Sequence, residues 1–173
     1  MRRAVFFDKD GVVVRALELG DGKTRTPWHF GEFEIMPDVA EMLAAVRECG
    51  FLCILASNQP DVTYKKMSEH VWRAIQERVE TLGFDDVYIC RHGRNEACAC
   101  KKPKPGMLRE AATKWNIDLA NSFMVGDTQS DVDTARAAGC QAIVLNWPYN
   151  QDVVADYRVK NLLEILFIIK ASC

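Results

Sequence analysis

The sequence predicts an α/β fold, a doubly wound and mostly parallel sheet with helices on both faces and no large cap. Three observations predict it. Short apolar runs alternate with amphipathic helical stretches, several of those stretches stop at a glycine that leads into the next run, and polar residues collect just after the runs. Parallel neighbours need a crossover between them, and a helix between successive strands supplies it.

The elements follow in order. Ala4 to Phe7 is the first strand, halted by Asp8. Val39, Met42, Leu43 and Val46 fall at i, i+3, i+4 and i+7, so they predict one face of a helix; Asp38 and Glu41 are spaced as a capping box, and Gly50 marks the stop. Phe51 to Ala56 follows as a strand. Val71, Ile75, Val79 and Leu82 make a second helical face, ended by Gly83 and followed by a strand at Val87 to Ile89. Met107, Leu108, Ala111 and Trp115 predict a helix, Phe123 to Val125 a strand, Ser130 to Ala138 a helix stopped by Gly139, and Ala142 to Leu145 a fifth strand. Two connections are long, 11 to 36 and 90 to 104, and long loops in a compact domain usually carry function.

A chain of 173 residues is one domain's worth, so 1–173 is expected to be a single unit. Twenty-two Lys and Arg against 24 Asp and Glu leave a net charge of -2, which gives no broad basic field for nucleic acid or an anionic membrane. No apolar run approaches the roughly 20 residues that cross a bilayer, and the start lacks a signal peptide's apolar core, so a cytoplasmic protein is expected. Seven cysteines are an odd number; Cys49, Cys53, Cys140 and Cys173 are scattered, while Cys90, Cys98 and Cys100 cluster beside His92. In a reducing compartment such a cluster reads as a metal site. Three thiolates and an imidazole suit tetrahedral Zn²⁺, and four protein ligands leave no open position for chemistry, so the loop at 90–104 is expected to hold a structural zinc.

The polar residues give the remaining signal. Asp8-Lys9-Asp10-Gly11 follows the first strand, Ser57-Asn58 the second, and Gly126-Asp127-Thr128-Gln129-Ser130-Asp131 a later one; Lys101-Lys102-Pro103-Lys104-Pro105-Gly106 enters a helix. Carboxyl ends of parallel strands are where such sheets bind ligands. Singly, each motif reads equally as a turn or a helix cap. In this order, the chain resembles the haloacid dehalogenase superfamily of phosphohydrolases over residues 4 to about 146. The resemblance implies that Asp8 attacks phosphorus and Asp10 serves as acid and then base, that Ser57 and Lys102 hold the phosphoryl oxygens, and that Asn58 orients the substrate or Asp10. It also implies a Mg²⁺ held by Asp8, Asp127 and the main-chain carbonyl of Asp10, with Asp131 in support. A phosphate monoester repels nucleophiles, so its hydrolysis depends on neutralised charge and alignment, and these residue types supply both.

Acidic DxDG combined with CxH, CxC and KPxPG is similar to the branch that holds the D-glycero-D-manno-heptose 1,7-bisphosphate phosphatases and the histidinol-phosphate phosphatases, and Phe33 to Pro37 resembles it too. That branch implies a small phosphorylated metabolite, the heptose bisphosphate first, with histidinol phosphate as the alternative. The heptose enzymes usually carry Arg-Lys where this chain has Lys101-Lys102, and a basic residue where it has Thr128. With no insertion long enough for a capping domain, substrate choice falls to loops, with Lys101 and Arg25 as candidate contacts and Trp28 and His29 near the latter. A monomer is expected. Rival readings are a polynucleotide 3'-phosphatase, which the charge disfavours, a zinc-clamped scaffold with a dead site, and a signalling receiver, whose acceptor Asp typically follows the third strand rather than the first.

Overall fold

The computed structural model describes residues 1–20 and 22–171; Cys173 lies outside the described residues. In chain order the elements are β1 (Arg3–Phe7), β2 (Leu17–Gly20), β3 (Lys23–Arg25), α1 (Val39–Glu48), β4 (Phe51–Asn58), α2 (Glu69–Glu80), β5 (Asp86–Cys90), α3 (Gly106–Trp115), β6 (Phe123–Gly126), α4 (Gln129–Ala138), β7 (Gln141–Leu145), β8 (Tyr157–Val159) and α5 (Ile165–Lys170). The main sheet has six strands in the order β5-β4-β1-β6-β7-β8, every neighbouring pair parallel. No helix is long and apolar enough to cross a membrane among the described residues.

β1 lies at the centre of this order, and its alternation builds two cores. Val5 and Phe7 join Val39, Met42, Leu43 and Val46 of α1 and Ile165 and Ile169 of α5 on one face. Ala4 and Phe6 join Met107, Leu108 and Ala111 of α3 and Val132 and Ala135 of α4 on the other. Both faces of β1 and β4 are therefore covered, which is why those strands read as continuous apolar runs. The register sets Phe7 beside Leu55 and Val125, and Asn58 beside Cys90. The strands thus end at a common edge, and the chemistry-bearing segments leave from it.

Three features depart from the sequence reading. The Asp38–Glu41 capping box does not form: Asp38 sits in the left-handed region at φ 64° and its side chain caps nothing, although Met42 still donates to its carbonyl at 2.8 Å. Aspartate tolerates that conformation better than most residues, and Pro37 before it fixes the entry to α1. The box exists instead at α4, between Thr128 and Asp131. The sheet has a sixth strand, β8, whose three residues are too few to show a period. Finally, the 11–36 connection is partly ordered as the antiparallel hairpin of β2 and β3.

Candidate active site

Asp8 is the first residue past β1, and its amide donates to Val125 O at 2.9 Å. The chain then coils at once, with the amides of Val13 and Val14 both donating to Lys9 O at 2.8 Å. Gly11 permits this turn, at φ 85°, and a Cβ there would lie 2.1 Å from Asp127 Oδ2. Only glycine lets the first loop approach the end of β6 so closely.

Around Asp8 the carboxylates and one lysine interlock. Lys102 Nζ lies 2.8 Å from Asp8 Oδ1 and 2.6 Å from Asp131 Oδ1, and its side chain is 3 % exposed. Burial works against the ammonium, yet the carboxylates of Asp131 and Asp8 hold it above its ordinary range. Burial pushes the Asp8 carboxyl up to about 6; Lys102 pulls the other way and Asp131 adds to the rise. Asp8 Oδ1 also accepts from the Lys9 amide at 2.7 Å. Asp131 is fully occupied as the N3 residue of α4, since its Oδ2 accepts from Thr128 N, Thr128 Oγ1 and Asp127 N. A Cβ at Gly126 would fall 2.2 Å from Asp131 Cβ, so the glycine admits that carboxylate.

Asp8, Asp127 and Asp131 each bring a carboxylate oxygen within 4.8 Å of the others. Asp127 is 2 % exposed, and its Oδ1 is buried without a partner. Burial, Asp131 and Asp8 together raise its carboxyl well above the usual range. Three crowded carboxylates with one orphaned oxygen are the chemistry that a hard divalent cation relieves, so the residues fit Mg²⁺.

The Asp10 carboxylate faces elsewhere. Its Oδ1 accepts from Thr26 Oγ1 at 2.9 Å and its Oδ2 from Gln59 Nε2 at 2.6 Å. Gln59 also accepts from the buried Lys9 Nζ at 2.6 Å and donates to Ser57 Oγ at 3.2 Å. Gln59 and Thr26 were not singled out from sequence. Gln59 adjoins the Ser57-Asn58 motif, which is the one signal that could have found it. Three residues of the β7–β8 connection, Trp147, Tyr149 and Asn150, also reach Gly11 or Asp127, and no motif marked them.

The residues expected to meet the substrate, Asn58, Arg25 and Lys101, each have partners within the chain. Asn58 clasps the main chain of Lys102, donating to its carbonyl at 3.1 Å and accepting from its amide at 3.0 Å. Both halves of the side-chain amide are satisfied, and the clasp fixes the main chain that carries the lysine. Arg25 makes a two-pronged pair with Glu32 at 2.7 and 2.8 Å and lies over the Trp28 ring. The fork matches the carboxylate, whose pKa it holds down at about 2. Lys101 Nζ donates to His92 O at 3.1 Å.

Cys90, His92, Cys98 and Cys100 converge at the end of β5. Sγ of Cys90 is 3.5 Å from His92 Nδ1 and 3.9 Å from Cys98 Sγ, while Cys100 Sγ is 3.3 Å from His92 Nδ1. Tetrahedral zinc with bonds of about 2.3 Å to sulfur and 2.05 Å to nitrogen requires sulfur–sulfur separations of about 3.8 Å and sulfur–nitrogen separations of about 3.6 Å. The donor set fits. Outside this cluster, Cys53 Sγ donates to Leu43 O at 3.5 Å and Cys140 Sγ to Ala135 O at 3.6 Å.

A family profile described as "HAD-hyrolase-like" matches residues 99–146. The chain is 34 % identical over 155 residues to the D-glycero-beta-D-manno-heptose-1,7-bisphosphate 7-phosphatase of Vibrio cholerae serotype O1, covering 82 % of this chain and 80 % of the relative. It is 33 % identical over 151 residues to the enzyme of that name from Helicobacter pylori strain 26695, covering 83 % and 81 %. Among solved structures, the D,D-heptose 1,7-bisphosphate phosphatase of B. bronchiseptica, complexed with magnesium and phosphate, has the same fold, with a TM-score of 0.81 at 23 % identity over 99 % of both chains. A HAD-like phosphatase from Mesorhizobium loti aligns with a TM-score of 0.76 at 21 % identity, over 99 % of this chain and 87 % of its own.

Proposed function

Because the chain belongs to the haloacid dehalogenase superfamily, in the branch of the heptose bisphosphate and histidinol-phosphate phosphatases, and is a phosphoric monoester hydrolase, we propose that it removes the C7 phosphate of D-glycero-D-manno-heptose 1,7-bisphosphate through an aspartyl-phosphate. One observation carries this reading: the Asp8 carboxylate lies against Lys102 and within reach of Asp127 and Asp131, with Asp10 two residues on and turned to its own donors.

The steps follow from those positions. Asp8 Oδ1 is engaged by Lys102 and the Lys9 amide, which leaves Oδ2 to form the bond to phosphorus as the sugar oxygen departs. Asp10 gives that oxygen its proton; afterwards it takes one from a water that attacks phosphorus and releases Asp8. Thr26 and Gln59 hold Asp10 in place for both transfers. Ser57 and Lys102 would bind the phosphoryl oxygens, with Asp131 and the Asn58 clasp keeping Lys102 there. The carboxylates of Asp8 and Asp127 and the main-chain carbonyl of Asp10 would hold Mg²⁺, which would supply charge neutralisation for the phosphoryl group. Cys90, His92, Cys98 and Cys100 would hold a Zn²⁺ that takes no part in the steps and would order the 90–104 loop. The whole chain, 1–173, acts as one catalytic unit, monomeric and cytoplasmic.

Beside Lys101 and Arg25, a second phosphate has two further cations to meet, Lys66 and Arg94, which with Tyr64 and Asn95 line an open pocket between the loops after β4 and β5. Neither forms an ion pair within 4.0 Å among the described residues. Thr128 in place of a basic residue favours the second reading, histidinol phosphate, which carries one phosphate only.

Both esters offered to the purified protein with Mg²⁺ decide between them. The bisphosphate should give the higher kcat/KM, and the reverse order would replace it with histidinol phosphate. Asp8→Asn should abolish phosphate release and Asp10→Asn should slow it by at least about 10²-fold, the usual share of general acid–base catalysis. Normal turnover in Asp8→Asn would refute the covalent route.

A further inference from the structure

The connection between β7 and β8 is tied to the candidate site at three points. Trp147 Nε1 donates to Gly11 O at 2.8 Å, Asn150 Nδ2 donates to Asp127 O at 2.7 Å and to Leu145 O at 2.9 Å, and the Tyr149 hydroxyl donates to Asp127 Oδ2 at 2.7 Å. The Trp147 and Tyr149 rings stack, with centroids 6.0 Å apart and planes 8° from parallel. Arg158 of β8 locks the strap from behind by donating to Asn150 Oδ1 at 3.1 Å and to Asn150 O at 3.0 Å. The phenol therefore has a fixed position set by packing, and it points at one oxygen of one carboxylate.

That carboxylate has two oxygens with different fates. Oδ2 is taken by the phenol, Oδ1 is buried with no partner, and the carboxylate belongs to the cluster with Asp8 and Asp131. An isolated buried oxygen costs free energy unless something positive meets it. We propose that Tyr149 is a positioning residue for the divalent cation: by engaging Asp127 Oδ2 it fixes the carboxylate's rotation so that Oδ1 is presented as a single, oriented ligand. The inference rests on the reading of Asp8 and Asp127, with the main-chain carbonyl of Asp10 and with Asp131 in support, as the cation site. A carboxylate that ligates a metal is commonly held by such an outer hydrogen bond, and losing it weakens the metal rather than removing a ligand. Without the phenol, Asp127 could rotate and divide its oxygens between the cation and the Asp131 side of the cluster.

The test compares Mg²⁺ binding to the zinc-loaded wild type, Tyr149→Phe and Asp127→Asn by calorimetry, alongside the Mg²⁺ concentration that half-saturates turnover. Tyr149→Phe keeps the ring on Trp147 and loses only the hydroxyl. It should weaken Mg²⁺ binding by about 10-fold, the lower end of what outer partners of metal ligands contribute, and the loss should lie in half-saturation far more than in kcat once the cation saturates. Asp127→Asn should abolish the binding. An unchanged Mg²⁺ affinity in Tyr149→Phe, with binding lost in Asp127→Asn, overturns the positioning role and leaves the cation site standing. Undiminished binding in Asp127→Asn brings down both. Should Tyr149→Phe melt lower than wild type, Trp147→Phe separates stability from binding, because it loses the indole bond to Gly11 and keeps the phenol; wild-type Mg²⁺ affinity there supports the assignment, and an equal loss of affinity defeats it.

Discussion

Gln59 is the residue on which the two halves of the DxD motif depend. Its Oε1 meets Lys9, which is 1 % exposed, and its Nε2 meets Asp10. Gln59→Leu, close in volume, leaves an ammonium and a carboxylate 3.7 Å apart without the amide that separates them. The two should collapse together and draw Asp10 out of line. Turnover should fall by about 10²-fold, the size of effect that misplacing a reacting group by about 1 Å produces, with a much smaller change in KM; steady-state kinetics check it. Asp8, Asp10, Asp127 and Lys102 were legible because each stands directly after an apolar run or before a helix, where a parallel sheet gathers its loops. Gln59, Thr26 and Tyr149 were not, because what they touch is set by loops folding back from 16 or more residues away. Arg25 reads as an exposed cation in sequence and meets Glu32, seven residues further on, in the structure.

At the scale of elements, the contact that most needs explaining is between β5 and α3, because α3 begins just after the loop that carries Lys102. Asp86 of β5 accepts from Lys114 Nζ at 2.8 Å and Trp115 Nε1 at 2.7 Å, both on α3, and from Tyr88 OH at 2.9 Å. Partial burial opposes the charge, but these donors win and hold the Asp86 carboxyl at about 2. Its folded pKa is thus below the unfolded value of roughly 3.9, so the stabilisation is complete above about pH 5 and is lost as pH falls through about 2. Asp86→Leu should cost about 1–3 kcal/mol at pH 7, since it leaves the buried Tyr88 hydroxyl and the half-buried Trp115 Nε1 without their acceptor. In urea titrations the gap to wild type should stay constant from pH 7 to pH 5 and narrow below pH 4; a gap that widens in acid would contradict the assignment. The five strands and four helices foreseen from periodicity are present, with ends shifted by one or two residues. β8 escaped notice because three residues carry no period, and the hairpin because β2 and β3 are exposed and lack an apolar face. The capping box failed for a different reason: the spacing at Asp38 was right, but the backbone there is left-handed.

For the whole molecule, the Cys/His loop and Lys102 form one mechanical unit. The loop leaves β5 at Cys90 and reaches Lys102, whose main chain is gripped by Asn58 at the end of β4. Removing Zn²⁺ should therefore lower both melting temperature and turnover although no zinc ligand takes part in the reaction. A chelator strips both metals, so the decisive measurement is what restores activity: Mg²⁺ alone should not, and Zn²⁺ followed by Mg²⁺ should. Metal analysis should find one zinc per chain. Unaltered melting after zinc loss would show that the cluster orders nothing.

The glycine turns at Gly50 and Gly139 precede β4 and β7, at the rim opposite the one where the strands end. Both adopt positive φ, and neither has another atom within 4 Å of where a Cβ would stand. Those reversals face open water and touch no part of the charged cluster. Lengthening them by a short flexible epitope, or joining a fluorescent reporter there, should leave hydrolysis intact, so that rim is the natural handle for immobilising the protein with its working face outward.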